Sequence, residues 1–110
     1  MNRRYCLTLD LKNDPQLIEE YEGYHKSVRP EILQSFTDAG ILSMELYRWE
    51  SRLCMIIEVD QSFSFERKSE LDANNPIVQE WENLMSTYQQ QLPGSMENGK
   101  WQLMKKIFET

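Results

Sequence analysis

The chain has 110 residues, of which 40% are hydrophobic, and its 18 acidic and 12 basic residues give a formal net charge of −6. This length and composition are typical of one ordered globular domain, here residues 1–110. Binding of nucleic acid is disfavoured, because phosphate contacts require a surface rich in Lys and Arg. The apolar runs fall well short of the roughly 20 residues that span a bilayer, so we expect no membrane segment.

The first predicted element is a strand over residues 3–11, because apolar residues recur there at every second position. This alternation differs from the uninterrupted apolar stretch of a secretory signal peptide. We therefore expect a cytoplasmic protein.

A helix is predicted from Pro15, with Asp14 as its N-cap, because proline fits the first helical position and an Asp side chain can accept from the free amides there. Pro30 lacks an amide hydrogen and clashes with the preceding turn, so the helix should kink or restart at that point. The restarted helix is expected to run to about Ala39, and Gly40 suits a left-handed C-terminal cap.

A β-hairpin is predicted next, since residues 41–49 and 52–60 both have strand character and only Glu50 and Ser51 separate them. This connection contains neither Gly nor Asn, so the sequence leaves its turn type open.

The second half of the chain predicts two more helices and a closing strand. Ser62 or Ser64 can cap the first of these helices. The predicted segments are helices over about 63–72 and 76–90, a loop over 93–99 and a strand over about 101–109. The order β-α-β-β-α-β predicts an α+β, ferredoxin-like fold with helices on one face of an antiparallel sheet.

Both faces of the predicted sheet carry apolar side chains. Along the third strand, Leu53 and Met55 fall on one face, whereas Cys54 and Ile56 fall on the other. Two helices can cover only one face, and a large exposed apolar patch is uncommon on a monomer. We therefore expect a homodimer in which a second copy covers the other face. The alternative is an apolar face that stays open to solvent.

No cofactor or metal is expected. Cys6 and Cys54 lie in apolar strands and are expected to be buried, reduced thiols. A structural zinc site takes about four Cys or His ligands, whereas the chain offers two cysteines and one histidine. The sequence also has no glycine-rich phosphate loop.

His25 is the only histidine, so any imidazole acting as a general acid or base near neutral pH must be this one. Tyr21 lies four residues earlier on the same side of the helix, so the two side chains can converge. The end of the helix would favour a protonated ring. Trp81 and neighbouring tyrosines offer flat surfaces for a sugar ring, with Glu82 beside them. A lone histidine is more often structural. Trp81 could equally be a core residue, and a glutamate such as Glu82 is more often a solvated charge on a helix.

The segments EEYEGYHKSVRPEI, ILSMELYRWESRLCMIIEVD, VQEWENLM and KWQLMKKIFE together resemble the L-rhamnose mutarotase family, in order and over nearly the whole chain. The most specific element is Tyr21 and His25 followed by the triplet that begins at Arg29. The resemblance implies a dimeric α+β barrel, a monosaccharide substrate and cofactor-free exchange of sugar anomers.

The resemblance also implies roles for residues. His25 corresponds to the family's proton donor, Tyr21 to a residue that contacts the sugar, and Trp81 to the first of two pocket tryptophans. Three pocket positions depart from the family's pattern: Glu82 replaces the second tryptophan, Met44 a tyrosine and Arg29 a tryptophan. A retained Tyr/His pair in an altered pocket predicts the same reaction on a different 6-deoxyhexose. Relatives with similar LPG and KW…IF endings favour L-fucose.

Two other hypotheses stay open at this point. A dimeric α+β barrel can serve as a sugar-binding or sensing protein without catalysis, because a fold does not fix a function. In that case the departures at Arg29, Met44 and Glu82 would mark a lost site. A cofactor-free oxygenase of the same general fold would instead need a pocket for a polycyclic aromatic substrate.

Overall fold

The computed structural model describes residues 2–92 and 101–110, so the predicted loop over 93–99 lies outside it. The described elements confirm the predicted α+β class. No helix among them is long and apolar enough to cross a membrane. In chain order the elements are β1 (Arg3–Leu11), α1 (Pro15–Tyr24), α2 (Pro30–Asp38), β2 (Ile41–Trp49), β3 (Arg52–Val59), α3 (Phe65–Ala73), α4 (Pro76–Ser86), β4 (Gln89–Gln90) and β5 (Gln102–Leu103).

Strand β1 lies in the middle of an antiparallel sheet. On one side it pairs with β3 from Arg3↔Val59 to Asp10↔Arg52, and β3 in turn pairs with β2. On the other side β4 pairs with the end of β1 and β5 pairs with Leu7 and Thr8. The sheet order is therefore β2-β3-β1, followed by β4 and β5 along the same edge of β1.

The predicted start of α1 is confirmed, and its end comes before the break expected at Pro30. The Asp14 carboxylate accepts hydrogen bonds from the amides of Gln16 at 2.9 Å and Leu17 at 3.3 Å. The helix ends at Tyr24 with His25 as its C-cap residue. A new helix begins at Pro30, so the chain restarts there instead of kinking.

Gly40 adopts the left-handed conformation predicted for it, with φ of +93°. It follows the C-cap residue of α2 and leads directly into β2. Its carbonyl accepts from the Asp60 amide at 2.9 Å, which ties this corner to the end of β3. The hairpin turn between β2 and β3 likewise contains a positive φ, at Glu50.

Two predicted boundaries are wrong. The helix expected to run to about residue 90 ends at Ser86, because Gln89 and Gln90 pair with β1 instead. The strand expected over 101–109 is limited to Gln102–Leu103, with one further hydrogen bond from the Met104 amide to the Cys6 carbonyl. The residues beyond it make no ladder with β1 within the described chain, and a strand needs such a partner along its length.

The main core lies between the helices and the inner face of the sheet, where Leu9, Ile32, Leu53 and Val59 are fully buried. The outer face is covered less. Cys6 and Cys54 are free and only half-buried there, in contrast to the predicted burial, and their sulfur atoms lie 3.1 Å apart. Exposed apolar side chains include Tyr47 of β2 and, in the C-terminal segment, Met104, Ile107 and Phe108.

Candidate active site

A cleft of about 1330 Å³ lies between the helices and the inner face of the sheet. Its sheet side includes Met44 and Met55, and its helix side includes Tyr21, His25 and Trp81. Pockets for small molecules commonly measure roughly 300–1,000 Å³, so this cleft is large enough for a monosaccharide. It therefore brings together, in one cavity, most of the residues that the sequence singled out.

The imidazole of His25 is held by the main chain. Its Nδ1 atom lies 2.8 Å from the carbonyl oxygen of Tyr21, one helical turn earlier. A carbonyl oxygen only accepts hydrogen bonds, so Nδ1 must carry a proton in this contact. The neutral ring is therefore the Nδ1–H tautomer, in which Nε2 is the nitrogen that can gain and lose a proton. The ring is half-buried and lines the cleft.

Two aromatic rings flank this imidazole. The Tyr21 ring centroid lies 4.6 Å away at 43°, and the Trp81 centroid lies 5.6 Å away in an edge-on arrangement at 72°. Both separations fall in the range of favourable aromatic contacts. The four-residue spacing thus brings Tyr21 and His25 together as predicted, and α4 supplies Trp81 from across the fold. Nδ1 of His25 thus donates a hydrogen bond to the main-chain carbonyl of Tyr21, whereas the phenol ring of Tyr21 contacts the imidazole ring.

The hydroxyl of Tyr21 has an environment of its own. The residue is only 2% exposed, and burial raises its pKa above the ordinary value of 10. A side-chain hydrogen bond with Gln89 acts in the opposite direction and lowers this pKa. The phenol therefore stays protonated near neutral pH and can donate a hydrogen bond.

Charged groups also line the cleft. Glu82 is half-buried on α4. Arg48 of β2 and Glu22 of α1 form an ion pair of 2.5 Å between Nε and Oε2. The cleft can thus present carboxylate and guanidinium groups to polar ligands such as sugar hydroxyls.

Sequence reasoning missed several polar residues in this cleft, among them Glu22, Arg48 and Gln89. A signal existed for Arg48, because it follows Met44 and Leu46 at two-residue intervals and therefore shares their face of β2. Gln89 had no such signal, since its position falls inside the helix that was predicted to reach residue 90.

Arg29 does not lie in the cleft, in contrast to the role predicted for it. It is the N-cap residue of α2, and its side chain is turned toward carboxylates on the outer surface. Its guanidinium lies 3.3 Å from Glu80 and 3.7 Å from Glu31. Met44, in contrast, lines the cleft as expected.

Comparison of the chain with known protein families identifies its family. Residues 4–110 match the family described as L-rhamnose mutarotase. The chain belongs to the L-rhamnose mutarotase family. Membership confirms the resemblance, and it confirms the predicted enzyme class, since mutarotases are isomerases that act on sugars.

Relatives of this chain carry different names. An L-fucose mutarotase of Xanthomonas campestris pv. campestris is 39% identical over 108 residues, which cover 96% of this chain and 86% of that protein. A Dictyostelium discoideum protein without a named activity is 36% identical over 105 residues, covering 90% and 82%. An L-rhamnose mutarotase of Phocaeicola vulgatus is 28% identical over 72 residues, covering 66% and 67%.

Solved structures show the same fold. An L-rhamnose mutarotase from Formosa agariphila has a TM-score of 0.72 at 20% identity, with 98% of both chains covered. A tetracenomycin F2 cyclase from Streptomyces glaucescens has a TM-score of 0.60 at 16% identity, covering 98% and 95%. A dimeric ferredoxin-like protein from an uncultured marine organism has a TM-score of 0.53 at 12% identity, covering 97% and 90%. The predicted ferredoxin-like fold is therefore confirmed.

Proposed function

We propose that this family member is a cofactor-independent mutarotase that interconverts the α and β anomers of a 6-deoxyhexose. L-fucose is the favoured substrate, and L-rhamnose is the alternative. Support for L-fucose comes from the 39% identical relative that is named an L-fucose mutarotase. It also comes from the pocket, where Met44 and Glu82 line the cleft at two positions that differ from the rhamnose-type pattern.

The proposed chemistry is a pair of proton transfers. Anomer exchange needs a proton on the ring oxygen and removal of the proton from the hydroxyl on C1, which opens the ring to an aldehyde. Rotation about the C1–C2 bond and closure of the ring then give the other anomer. We assign donation to the ring oxygen to Nε2–H of the imidazolium form of His25, which becomes the neutral Nδ1–H ring after the transfer. The proton of the C1 hydroxyl goes to Glu82 or to water, and closure reverses both transfers.

The remaining side chains would bind and orient the sugar. Trp81 offers an apolar ring beside His25, and the buried Tyr21 offers a protonated hydroxyl. Glu82 can accept hydrogen bonds from sugar hydroxyls, and Met44 offers an apolar contact suited to the methyl group of a 6-deoxy sugar.

One observation carries the proposal most directly, and it is the orientation of His25. Within residues 2–92 and 101–110, Nδ1 lies 2.8 Å from a main-chain carbonyl and Nε2 has no hydrogen-bond partner, so Nε2 can face a substrate at the wall of a cleft that can hold a sugar. An imidazole with both nitrogens bonded to protein groups would be suited to a structural role. The ring found here instead has the arrangement of a general acid or base.

Saturation-transfer NMR between the α and β anomers tests this function on a panel of L-fucose, L-rhamnose and common hexoses. The wild-type protein should accelerate exchange for a 6-deoxyhexose. The His25→Ala variant should lose roughly 10²–10⁴-fold of that acceleration, which is the usual contribution of general acid–base catalysis. Ser27→Ala is the matched control, since Ser27 is exposed and lies two residues away, outside the cleft lining.

Two outcomes would contradict the proposal. Full activity in His25→Ala, with the variant folded, would remove the assigned proton donor. Binding of a sugar to the wild-type protein without faster anomer exchange would instead support the sugar-binding or sensing alternative.

We also propose that the protein is a homodimer joined through the outer face of the sheet. Support comes from the incomplete cover of that face and from the C-terminal segment, where Ile107 is 88% and Phe108 is 77% exposed. A related fold is named as dimeric. In analytical ultracentrifugation the wild-type chain should sediment as a dimer, and Ile107→Asp should shift it toward the monomer. Thr110→Asp adds the same charge to the same segment and should leave the dimer intact.

A cytoplasmic location is the final part of the proposal. The sulfur atoms of Cys6 and Cys54 lie 3.1 Å apart, and the cytosol keeps such thiols reduced, as the sequence predicts for both residues. Cell fractionation of the native organism should find the protein in the cytosolic fraction, and recovery from a secreted fraction would contradict the assignment.

A further inference from the structure

The side chain of Gln89 combines two features that no other part of the proposal explains. It lines the cleft from strand β4, next to the hydroxyl of Tyr21. Its amide oxygen Oε1 is buried and has no hydrogen-bond partner within the described chain. Buried polar atoms are nearly always paired, so such an atom at the wall of a cleft requires an explanation.

The orientation of the amide follows from its contact with Tyr21. The hydrogen bond between the two side chains lowers the pKa of the phenol, and a hydrogen bond does so when it stabilises the ionised oxygen. Only the NH₂ group of a glutamine can donate such a bond. The nitrogen therefore faces Tyr21, which leaves the oxygen as the unpaired atom.

An unpaired carbonyl oxygen is an acceptor, so its natural ligand is an O–H or N–H donor. In this conformation the oxygen is shielded from solvent, so a donor reaches it only if the side chain moves. A ligand would reach it after a rotation about the terminal side-chain torsion, which is broad for glutamine. Sugar hydroxyls are the donors that the proposed substrate would bring into this cleft.

We infer that Gln89 is a substrate-binding residue whose amide oxygen accepts a hydrogen bond from one hydroxyl of the sugar. This inference rests on the proposed function and deepens it, since it adds a residue that selects among sugars. Its position also links substrate binding to Tyr21, because the rotation that presents the oxygen to a ligand also moves the amide nitrogen relative to that hydroxyl. A sugar without the matching hydroxyl would leave the oxygen unpaired in the complex and would bind less tightly.

The test compares Gln89→Met with Gln90→Met. Methionine has nearly the length of glutamine but neither donates nor accepts a conventional hydrogen bond. Gln90 is the next residue of β4, is exposed and lies outside the cleft lining, so it provides a matched control. Anomer exchange is measured by saturation-transfer NMR for the preferred sugar and for its analogues with one hydroxyl replaced by hydrogen. Sugar binding to each variant is measured by NMR titration.

Loss of one hydrogen bond should raise KM of Gln89→Met for the preferred sugar by roughly tenfold, with Gln90→Met unchanged. In the wild-type protein, one deoxy analogue should show a similar penalty. That penalty should disappear in Gln89→Met, because the partner of the missing hydroxyl is already gone. An equal penalty in both proteins would overturn the inference. A fall in kcat that is the same for every analogue would also overturn it, since this pattern indicates that Gln89 only supports Tyr21.

The same measurements separate this inference from the proposed function. If the wild-type protein accelerates no anomer exchange but binds a sugar, the function fails and the titrations still decide the role of Gln89. In that case a hydroxyl-specific loss of affinity in Gln89→Met supports the inference, and an unchanged affinity overturns it. If the wild-type protein binds no sugar in the panel, both are overturned.

Discussion

Replacement of Gly40 by alanine should strongly destabilise the fold, and the structure indicates by how much. A Cβ atom built at this position would lie 2.5 Å from Asp60 Oδ1, 2.7 Å from Ser62 Oγ and 3.2 Å from the Phe63 amide nitrogen. The Asp60 carboxylate cannot move away freely, because it accepts hydrogen bonds from the Ser62 amide at 2.8 Å and the Ser62 hydroxyl at 2.6 Å. The new methyl group would therefore displace a carboxylate that holds the turn after β3.

The expected cost has two parts. The left-handed conformation at φ of +93° costs an alanine roughly 1–2 kcal/mol. Disruption of the two hydrogen bonds to Asp60 costs roughly 0.5–1.5 kcal/mol each. The lower entropy of the unfolded alanine chain returns about 0.4–1 kcal/mol. We therefore expect Gly40→Ala to lower the free energy of unfolding by about 1–4.5 kcal/mol.

Equilibrium urea unfolding at a fixed protein concentration measures this change, and Gly23→Ala provides the matched control. A Cβ at Gly23 would meet nothing within 4 Å, and this glycine lies in α1. Alanine there should raise the free energy of unfolding by roughly 0.5–1 kcal/mol. Equal stability of Gly40→Ala and the wild-type protein would refute the reasoning, as would a comparable loss of stability in both variants.

Three further predictions concern the helix that carries the site. Tyr21→Phe should lower kcat by roughly tenfold, as measured by saturation-transfer NMR. The imidazole chemical shifts of His25 should stay unchanged, because its ring binds the main-chain carbonyl of residue 21. The hydrogen bond to Glu20 raises the pKa of Tyr88 from 10 to about 12, so the folded protein keeps a proton that the unfolded chain releases. The free energy of unfolding should therefore fall as pH rises from 10 to 12, and less so in Glu20→Gln, as followed by urea titrations at each pH. Asp14→Ala removes the N-cap of α1 and should cost about 1 kcal/mol in urea unfolding, and an unchanged midpoint would contradict the capping role.

The sequence was most informative where local chemistry decides the structure. Asp14 and Pro15 mark the start of α1 because a side-chain acceptor and a fixed φ act within a few residues. Gly40 marks the end of α2 for a similar reason, since few other residues adopt its backbone conformation without strain. These signals need no knowledge of the rest of the fold, and the structure confirms them.

The boundaries that were predicted wrongly depend on distant partners. No Gly or Pro separates α4 from β4, and the helix ends because Gln89 and Gln90 find a strand partner in β1. The C-terminal segment has the alternation of a strand over 101–109, but within the described chain the pairing stops after Met104. Pattern alone does not reveal whether a partner edge is present.

Prediction of the site shows the same division. The spacing of Tyr21 and His25 follows from helix geometry, whereas the approach of Trp81, 56 residues further on than His25, depends on how α4 packs against α1. Arg29 was selected by its place in a motif, yet its side chain binds carboxylates outside the cleft. A motif fixes the order of residues, but the direction of each side chain depends on the local backbone.

The contact between the His25 ring and a peptide carbonyl has a consequence for how such a site can change over time. Because the backbone supplies that oxygen whatever side chain stands at position 21, the imidazole keeps its tautomer when the surrounding side chains are replaced. The walls of the cavity can therefore be remodelled for a new carbohydrate while the proton chemistry is inherited unaltered. A scaffold of this kind can change its substrate specificity among sugars while its catalytic mechanism stays the same.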